Sequence, residues 1–458
     1  MTKTSTRLAL AALVSLPAVA IAQPAAMPTV DPMVAELRDA ALEDELAWEL
    51  LEGLTTEVGP RLAGTEAEAR ARDWAVEHLT ELGFANVRVE EFTMPTWVRG
   101  EEKAEIIAPF PQELVLTALG NSGSTGPDGL EAEVIGYADY PSFLADDPAN
   151  QAGKIVFISH AMPRNQDGSG YSPAFGSPRW FGPNEAASRG AAAIIVKSIG
   201  TEHDRTPHTG NTNFQPGVTP IPAAALAIPD ANQLMRVLER ADGPVTMKLL
   251  LTPRNIGEQV SGNVIAEVPG RNPDAKKLQV ACHLDSWDNS VGAFDDGAGC
   301  AIVAAAAKRI MEAGRPMRTI EIVWYGAEEV GIWGGRDFAA RHDGTDYHAV
   351  AESDFGADRV WKVTTNFGEG RRAEADGLRA ALVPLGIVPG EYDQAGGADI
   401  GPLMREGAPG LSLRQDGTRY FDLHHTPNDT LDQVDPEQLR QNVAAWTAML
   451  AYLSGGIE

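Results

Sequence analysis

Two cysteines among 458 residues exclude a disulfide framework and a four-cysteine zinc module. Cys282 and Cys300 lack the C-x-x-C spacing of a redox or zinc pair. The first ends an apolar strand pattern and the second opens a helix. Both are expected as small buried residues, although export would permit their oxidation. Positive charge is scarce: 37 Lys and Arg stand against 64 Asp and Glu, a net charge of -27. That balance argues against nucleic acid or an anionic membrane surface as partner, because phosphate binding needs clustered cations. Three catalytic signatures are missing. There is no H-E-x-x-H helix, no G-x-S-x-G elbow, and no glycine-rich loop ending in Lys-Ser/Thr.

Long apolar runs are missing too, except at the start. Lys3 and Arg7 precede an apolar stretch from Leu8 to Ile21, and Ala20-Ile21-Ala22 forms an A-x-A cleavage pattern before Gln23. Residues 1–22 are therefore expected to be a signal peptide. The mature chain is expected in the periplasm or the medium, with no membrane span of its own.

What is present reads as an α/β enzyme. Residues 32–53 form an amphipathic helical pattern, and Thr65 caps a second helix over about 66–82 that Gly83 ends. Strand patterns follow at Val87-Arg88-Val89 and Glu91-Phe92-Thr93. Residues 112–252 change texture, with Gly/Ser/Pro-rich stretches between short apolar strands and no cluster of acids, His or Cys with ligand spacing. We expect an inserted, β-rich accessory domain there, between catalytic segments 23–111 and 253–458. Beyond 253, strands at 278–282, 319–325, 347–353 and 410–413 alternate with helices at 297–312, 335–341, 374–385 and 436–453. This alternation predicts a mostly parallel mixed sheet flanked by helices.

Ligands of open α/β sheets bind beyond the carboxyl ends of the strands, and the chemistry-bearing residues fall there. The strand ends deliver His283-Leu284-Asp285, Glu328-Glu329 and Asp354. Asp295-Asp296 precedes the 297–312 helix, and His424-His425 follows the 410–413 strand. Each motif alone has a bland reading as cap, turn or solvated pair. Five converging segments favour a site for two borderline cations, with imidazole and carboxylate ligands and Asp295 as the bridge. One member of the Glu328–Glu329 pair binds metal while its neighbour faces the water; Asp285 is placed to orient His283.

At these residues the sequence resembles the co-catalytic di-zinc exopeptidases, the family of the bacterial di-zinc aminopeptidases, and within it the carboxypeptidase Q branch. The stretches that carry the resemblance are Val58 to Leu62, Trp97 to Glu102, His283 to Asp288, Gly292 to Gly299, Ala327 to Glu329, Glu352 to Asp354, Asp399-Ile400, Ala408 to Gly410 and His424 to Thr430. The resemblance implies a zinc aminopeptidase-like fold with a protease-associated domain inserted. It implies two Zn2+ per chain held by His283, Asp295, Glu329, Asp354 and His425, with Glu328 as the base acting on a bridging water. It also implies a cis bond at Asp295-Asp296, short peptide or dipeptide substrates and a homodimer. Asp285, Asp296, Asp429, Trp287 and Tyr420 are expected around the metals or the substrate, with Tyr420 or Tyr325 helping an oxyanion. The chain departs from the branch at Thr426-Pro427-Asn428 and at Ala398, both near the expected substrate pocket. An aminopeptidase of the same family, a single-zinc glutaminyl cyclase and a non-catalytic binding module are the competing expectations.

Overall fold

The computed structural model describes residues 29–458; the expected signal peptide lies outside them. The first of two eight-stranded sheets runs, in order, Ala85–Val98, Arg254–Val268, Ile320–Tyr325, Lys277–His283, Tyr347–Glu352, Gly410–Gln415, Val360–Asn366, Val388–Pro389. The four strands from Ile320–Tyr325 to Gly410–Gln415 are mutually parallel, so their carboxyl ends share one rim. Their apolar runs are buried on both faces, as parallel strands require. The two strands that flank this group, Arg254–Val268 and Val360–Asn366, pair antiparallel with it, so the sheet is mixed, as expected.

On one face, helix Ala298–Ala313 packs against the C-terminal helix Pro436–Leu453. The first is alanine-rich and almost wholly buried, so small side chains let it lie close to the sheet. The second starts at Pro436, and the Asp435 carboxylate accepts the Glu437 N–H at 2.9 Å. Trp324 and Trp446 are fully buried in this core. The opposite face carries Trp333–Arg341 and Ile400–Arg405 over Tyr325, Val323 and Val350.

The second sheet spans residues 102–251 and begins ahead of the expected boundary at 112. Its inner strands Ile155–Ile158, Ala193–Lys197 and Ala223–Leu226 are parallel and, apart from the terminal Lys197, apolar and buried. Helices Gly182–Ser188 and Ile228–Arg240 belong to it, so this unit is α/β rather than mainly β. Among the described residues no helix is long and apolar enough to cross a membrane.

Three local expectations change. The single helix over 32–53 is two helices, Pro32–Ala40 and Leu46–Gly53, because Asp44 turns extended and its carboxylate accepts the Ala47 N–H at 2.9 Å. The short strands at 87–93 are one strand, Ala85–Val98, laid antiparallel along Arg254–Val268. Cys282 and Cys300 are buried, and they form a disulfide rather than remaining two separate thiols. A strand end and the helix that packs on it bring the two sulfurs together.

Candidate metal centre

His283 closes its strand, and the neighbouring strand Ile320–Tyr325 runs into Gly326-Ala327-Glu328-Glu329. Ala327 has φ +59°, a left-handed turn that lifts the two glutamates over the rim. His425 also has a left-handed backbone, φ +59°. Its carbonyl is fixed by the Thr209 N–H at 3.0 Å and the Asn289 side-chain amide at 2.9 Å. Strained backbone of this kind persists where its surroundings over-determine it.

Asp295 stands at the centre. Its Oδ1 lies 3.0 Å from His283 Nε2. Its Oδ2 lies 3.2 Å from His425 Nε2. Asp354 Oδ1 is 3.5 Å from His283 Nε2, and Glu329 Oε2 is 2.7 Å from His425 Nε2. Tetrahedral bonds of about 2.0–2.1 Å place neighbouring ligand atoms roughly 3.3 Å apart, and these spacings scatter around that figure. Asp295 Oδ2 is buried and accepts no hydrogen bond, an orphaned lone pair that a cation would satisfy. The residues present therefore fit two cations sharing Asp295.

The supporting residues have distinct contacts. His283 Nδ1 faces the Asp285 carbonyl at 3.0 Å, while the Asp285 carboxylate accepts the Glu328 N–H at 3.0 Å. The peptide bond Asp295-Asp296 is cis, and Asp296 accepts the N–H groups of His283 and Gly299 at 3.1 and 3.2 Å. Asp429 accepts the N–H groups of Phe294 and Asp295. Trp287 is buried edge-on to the His425 ring. Tyr420 lines the cavity above the cluster. Tyr325 does not: its hydroxyl is buried within the sheet and donates to Gln279 at 3.2 Å, because it points to the far face of its strand.

Burial and crowding set the electrostatics. Burial, aided by Asp354, Asp399 and Glu329 and opposed by His283, pushes the Glu328 carboxyl well above its usual range. Burial and Asp295 bring Glu329 up to about 7 against the pull of His425. Burial alone would lower His425, but Glu329 and Asp295 raise it to about 9. So many buried carboxylates cannot ionise together without added positive charge.

The second unit reaches into this site, which its sequence did not signal. The loop carrying His208 is buried against the histidines, with His208 Nε2 2.8 Å from His424 Nδ1. The Asn211 side-chain amide donates to the Glu329 carbonyl at 2.7 Å. A cavity of about 600 Å³ opens over the cluster, walled on one side by Asp295, Glu328 and Asp354 and on the other by Tyr171, Phe175 and Arg179. His208 follows Glu202-His203-Asp204 in one loop, but that spacing matches no ligand motif and gave His208 no signature. A second cavity of about 550 Å³ joins it at Asp354 and Phe355.

Known proteins resemble this arrangement. The profile of Peptidase family M28 matches residues 263–450. Carboxypeptidase Q of Bos taurus is 32% identical over 90% of this chain and 86% of its own length. Aminopeptidase YwaD of Bacillus subtilis is 24% identical over 88% of this chain and 83% of its own. Among solved structures, a Peptidase M28 precursor from Shewanella amazonensis superposes with a TM-score of 0.89 at 43% identity, covering 93% of this chain and 96% of that one. The zinc aminopeptidase BSAP of Bacillus subtilis shares the fold at 20% identity and a TM-score of 0.66, covering 90% and 97%.

Proposed function

The chain belongs to peptidase family M28 and is a zinc exopeptidase; on that premise we propose that it hydrolyses short peptides at a two-zinc site, acting as a carboxypeptidase. The observation that carries this reading is Asp295, whose two oxygens face His283 and His425 separately. His283 and Asp354 would hold one ion, Glu329 and His425 the other, and Asp295 both. Zinc, when bound, supplies Lewis-acid polarisation of a peptide carbonyl and acidifies a water. Glu328 lines the cavity beside these residues and has no place in the ligand set. Its carboxylate takes the proton from the attacking water and returns it to the leaving amine. The Tyr420 hydroxyl, on the same wall, steadies the oxyanion.

Carboxypeptidase polarity draws support from the relatives named Carboxypeptidase Q; the relative named aminopeptidase stands for the opposite polarity. The same reading includes an export signal at residues 1–22, a protease-associated unit whose sheet spans 102–251 and a homodimer. A mature N-terminus at Gln23 and a dimer mass by light scattering would check the first and last.

The direct test of the mechanism is Glu328→Gln. It should keep its zinc while kcat falls by about 10²–10⁴. Full turnover in that variant would discard the mechanism. Dipeptides blocked at one end or the other decide polarity: loss of cleavage on blocking the carboxyl end supports carboxypeptidase action, and loss on blocking the amine supports an aminopeptidase.

A further inference from the structure

Arg179 is a buried cation that no carboxylate among the described residues answers. It is 3% exposed, in the turn Phe175–Phe181 of the second unit, and it lines the cavity over the acid cluster. A guanidinium has five N–H donors. Nη1 gives one to the Thr209 carbonyl at 3.0 Å, and Nη2 gives one to the Tyr171 hydroxyl at 2.9 Å. His208 Nδ1, 3.3 Å from Nη1, spends its own proton on the same Thr209 carbonyl at 2.7 Å and does not accept from Arg179. One N–H on Nη1 and one on Nη2 are left over. The Nε–H is left as well, buried and without a partner. Its named partners are all neutral acceptors. Phe175 lies under the guanidinium, 4.7 Å from its carbon to the ring centre.

Neutral acceptors do not offset the desolvation of a full charge; a carboxylate in bidentate contact does. The guanidinium lines the substrate cavity with donors unspent, its Nε–H still covered, and a carboxylate entering there would answer the charge. The opposite wall belongs to Asp295, Glu328 and Asp354. Two imidazoles separate the guanidinium from Asp295, through His208 Nε2 to His424 Nδ1 at 2.8 Å and His424 Nε2 to Asp295 Oδ2 at 3.4 Å.

We propose that Arg179 binds the C-terminal carboxylate of the substrate and so sets which end of a peptide this enzyme trims. The inference rests on the peptidase reading above and names the residue that gives it polarity. The accessory unit then supplies the anchor, and the strand ends supply the chemistry. A peptide lies with its scissile carbonyl over the acid cluster and its free carboxylate across the cavity. Arg336 lines the same cavity but is exposed, and a solvated guanidinium discriminates weakly.

The test compares zinc-loaded wild type, Arg179→Gln and Arg336→Gln on a dipeptide and on its C-terminal amide. Wild type should prefer the acid. Arg179→Gln should lose about 100-fold in kcat/KM on the acid, chiefly through KM, with the amide changed less than about threefold. Arg179→Lys should recover part of the loss, and Arg336→Gln should keep the wild-type preference. An acid-to-amide ratio equal in wild type and Arg179→Gln would overturn the proposal. Should Arg179→Gln fail to fold, the decision falls to the wild type. An N-acetyl amino acid should then compete at least tenfold better than its amide; equal competition overturns the proposal. Wild type that cleaves neither peptide would instead refute the peptidase reading itself, a separate outcome.

Discussion

Asp429 holds Asp295 from behind: its two carboxylate oxygens accept the backbone N–H groups of Phe294 at 2.6 Å and of Asp295 at 3.1 Å. The carboxylate proposed to bridge the two ions is thus held by a second acid that makes no contact with His283 or His425. Asp429→Asn replaces one acceptor with a donor that must face an N–H. Zinc affinity should fall about 10–100-fold, as changes to outer partners of a metal site do. Competition with a chelating dye measures it, and unchanged affinity would show that Asp429 does not aim the bridge.

Removing metal should stop hydrolysis and also loosen the fold. Zinc bound only to the native state adds stability by mass action. Without it the acids around Asp295 repel one another. Thermal unfolding with and without chelator should show a lower midpoint in the metal-free protein, restored by added zinc. An unchanged midpoint would mean that the acid cluster holds itself together without a cation.

Arg61 braces the loop between His283 and Asp295. It is fully buried and donates to the carbonyls of Leu284 and Val291 at 2.5 Å, Gly292 at 3.0 Å and Gly59 at 3.3 Å. Arg61→Met leaves these carbonyls without donors and should cost about 3–5 kcal/mol. Denaturant titration reads this as a lowered midpoint. A cost under about 1 kcal/mol would mean that water replaces the side chain.

The accessory unit should weaken in mild acid. Burial, with help from Lys197 and Arg179, lowers the His160 ring to about 4, although the Lys197 carbonyl at 2.6 Å works the other way. The unfolded chain takes up this proton near pH ~6.5. The stability contributed by neutral His160 is therefore complete above about pH 6.5 and is lost as pH falls toward 4. His160→Asn should flatten unfolding free energy across that window. An equal slope in both proteins would assign the acid sensitivity elsewhere.

The parallel strands were legible because Leu278–Cys282 and Ile320–Tyr325 are short apolar runs bounded by turns. That ordering also brought His283, Asp295, Glu329, Asp354 and His425 to one rim, where the structure places them within contact of one another. Arg254–Val268 was hidden because its first half is exposed and polar, and only its long pairing with Ala85–Val98 makes it a strand. The Cys282–Cys300 bond joins a strand to a helix across space, so no sequence spacing announces it. His208 and Arg179 reach the site from the other sheet, a contact that depends on how the two sheets pack and not on any local pattern.

Val98 lies opposite Arg254 in the antiparallel ladder, so the chain leaves the catalytic sheet and re-enters it at one point. A tight hairpin turn would close that gap. The second sheet is thus a cassette on a double-stranded stalk. A lineage can exchange it, and with it the aromatic wall over the acids, without rethreading the strands that carry the chemistry. Any such exchange must keep the loop whose Thr209 N–H and Asn211 amide hold the His425 and Glu329 carbonyls, so the cassette is replaceable everywhere but at that one loop.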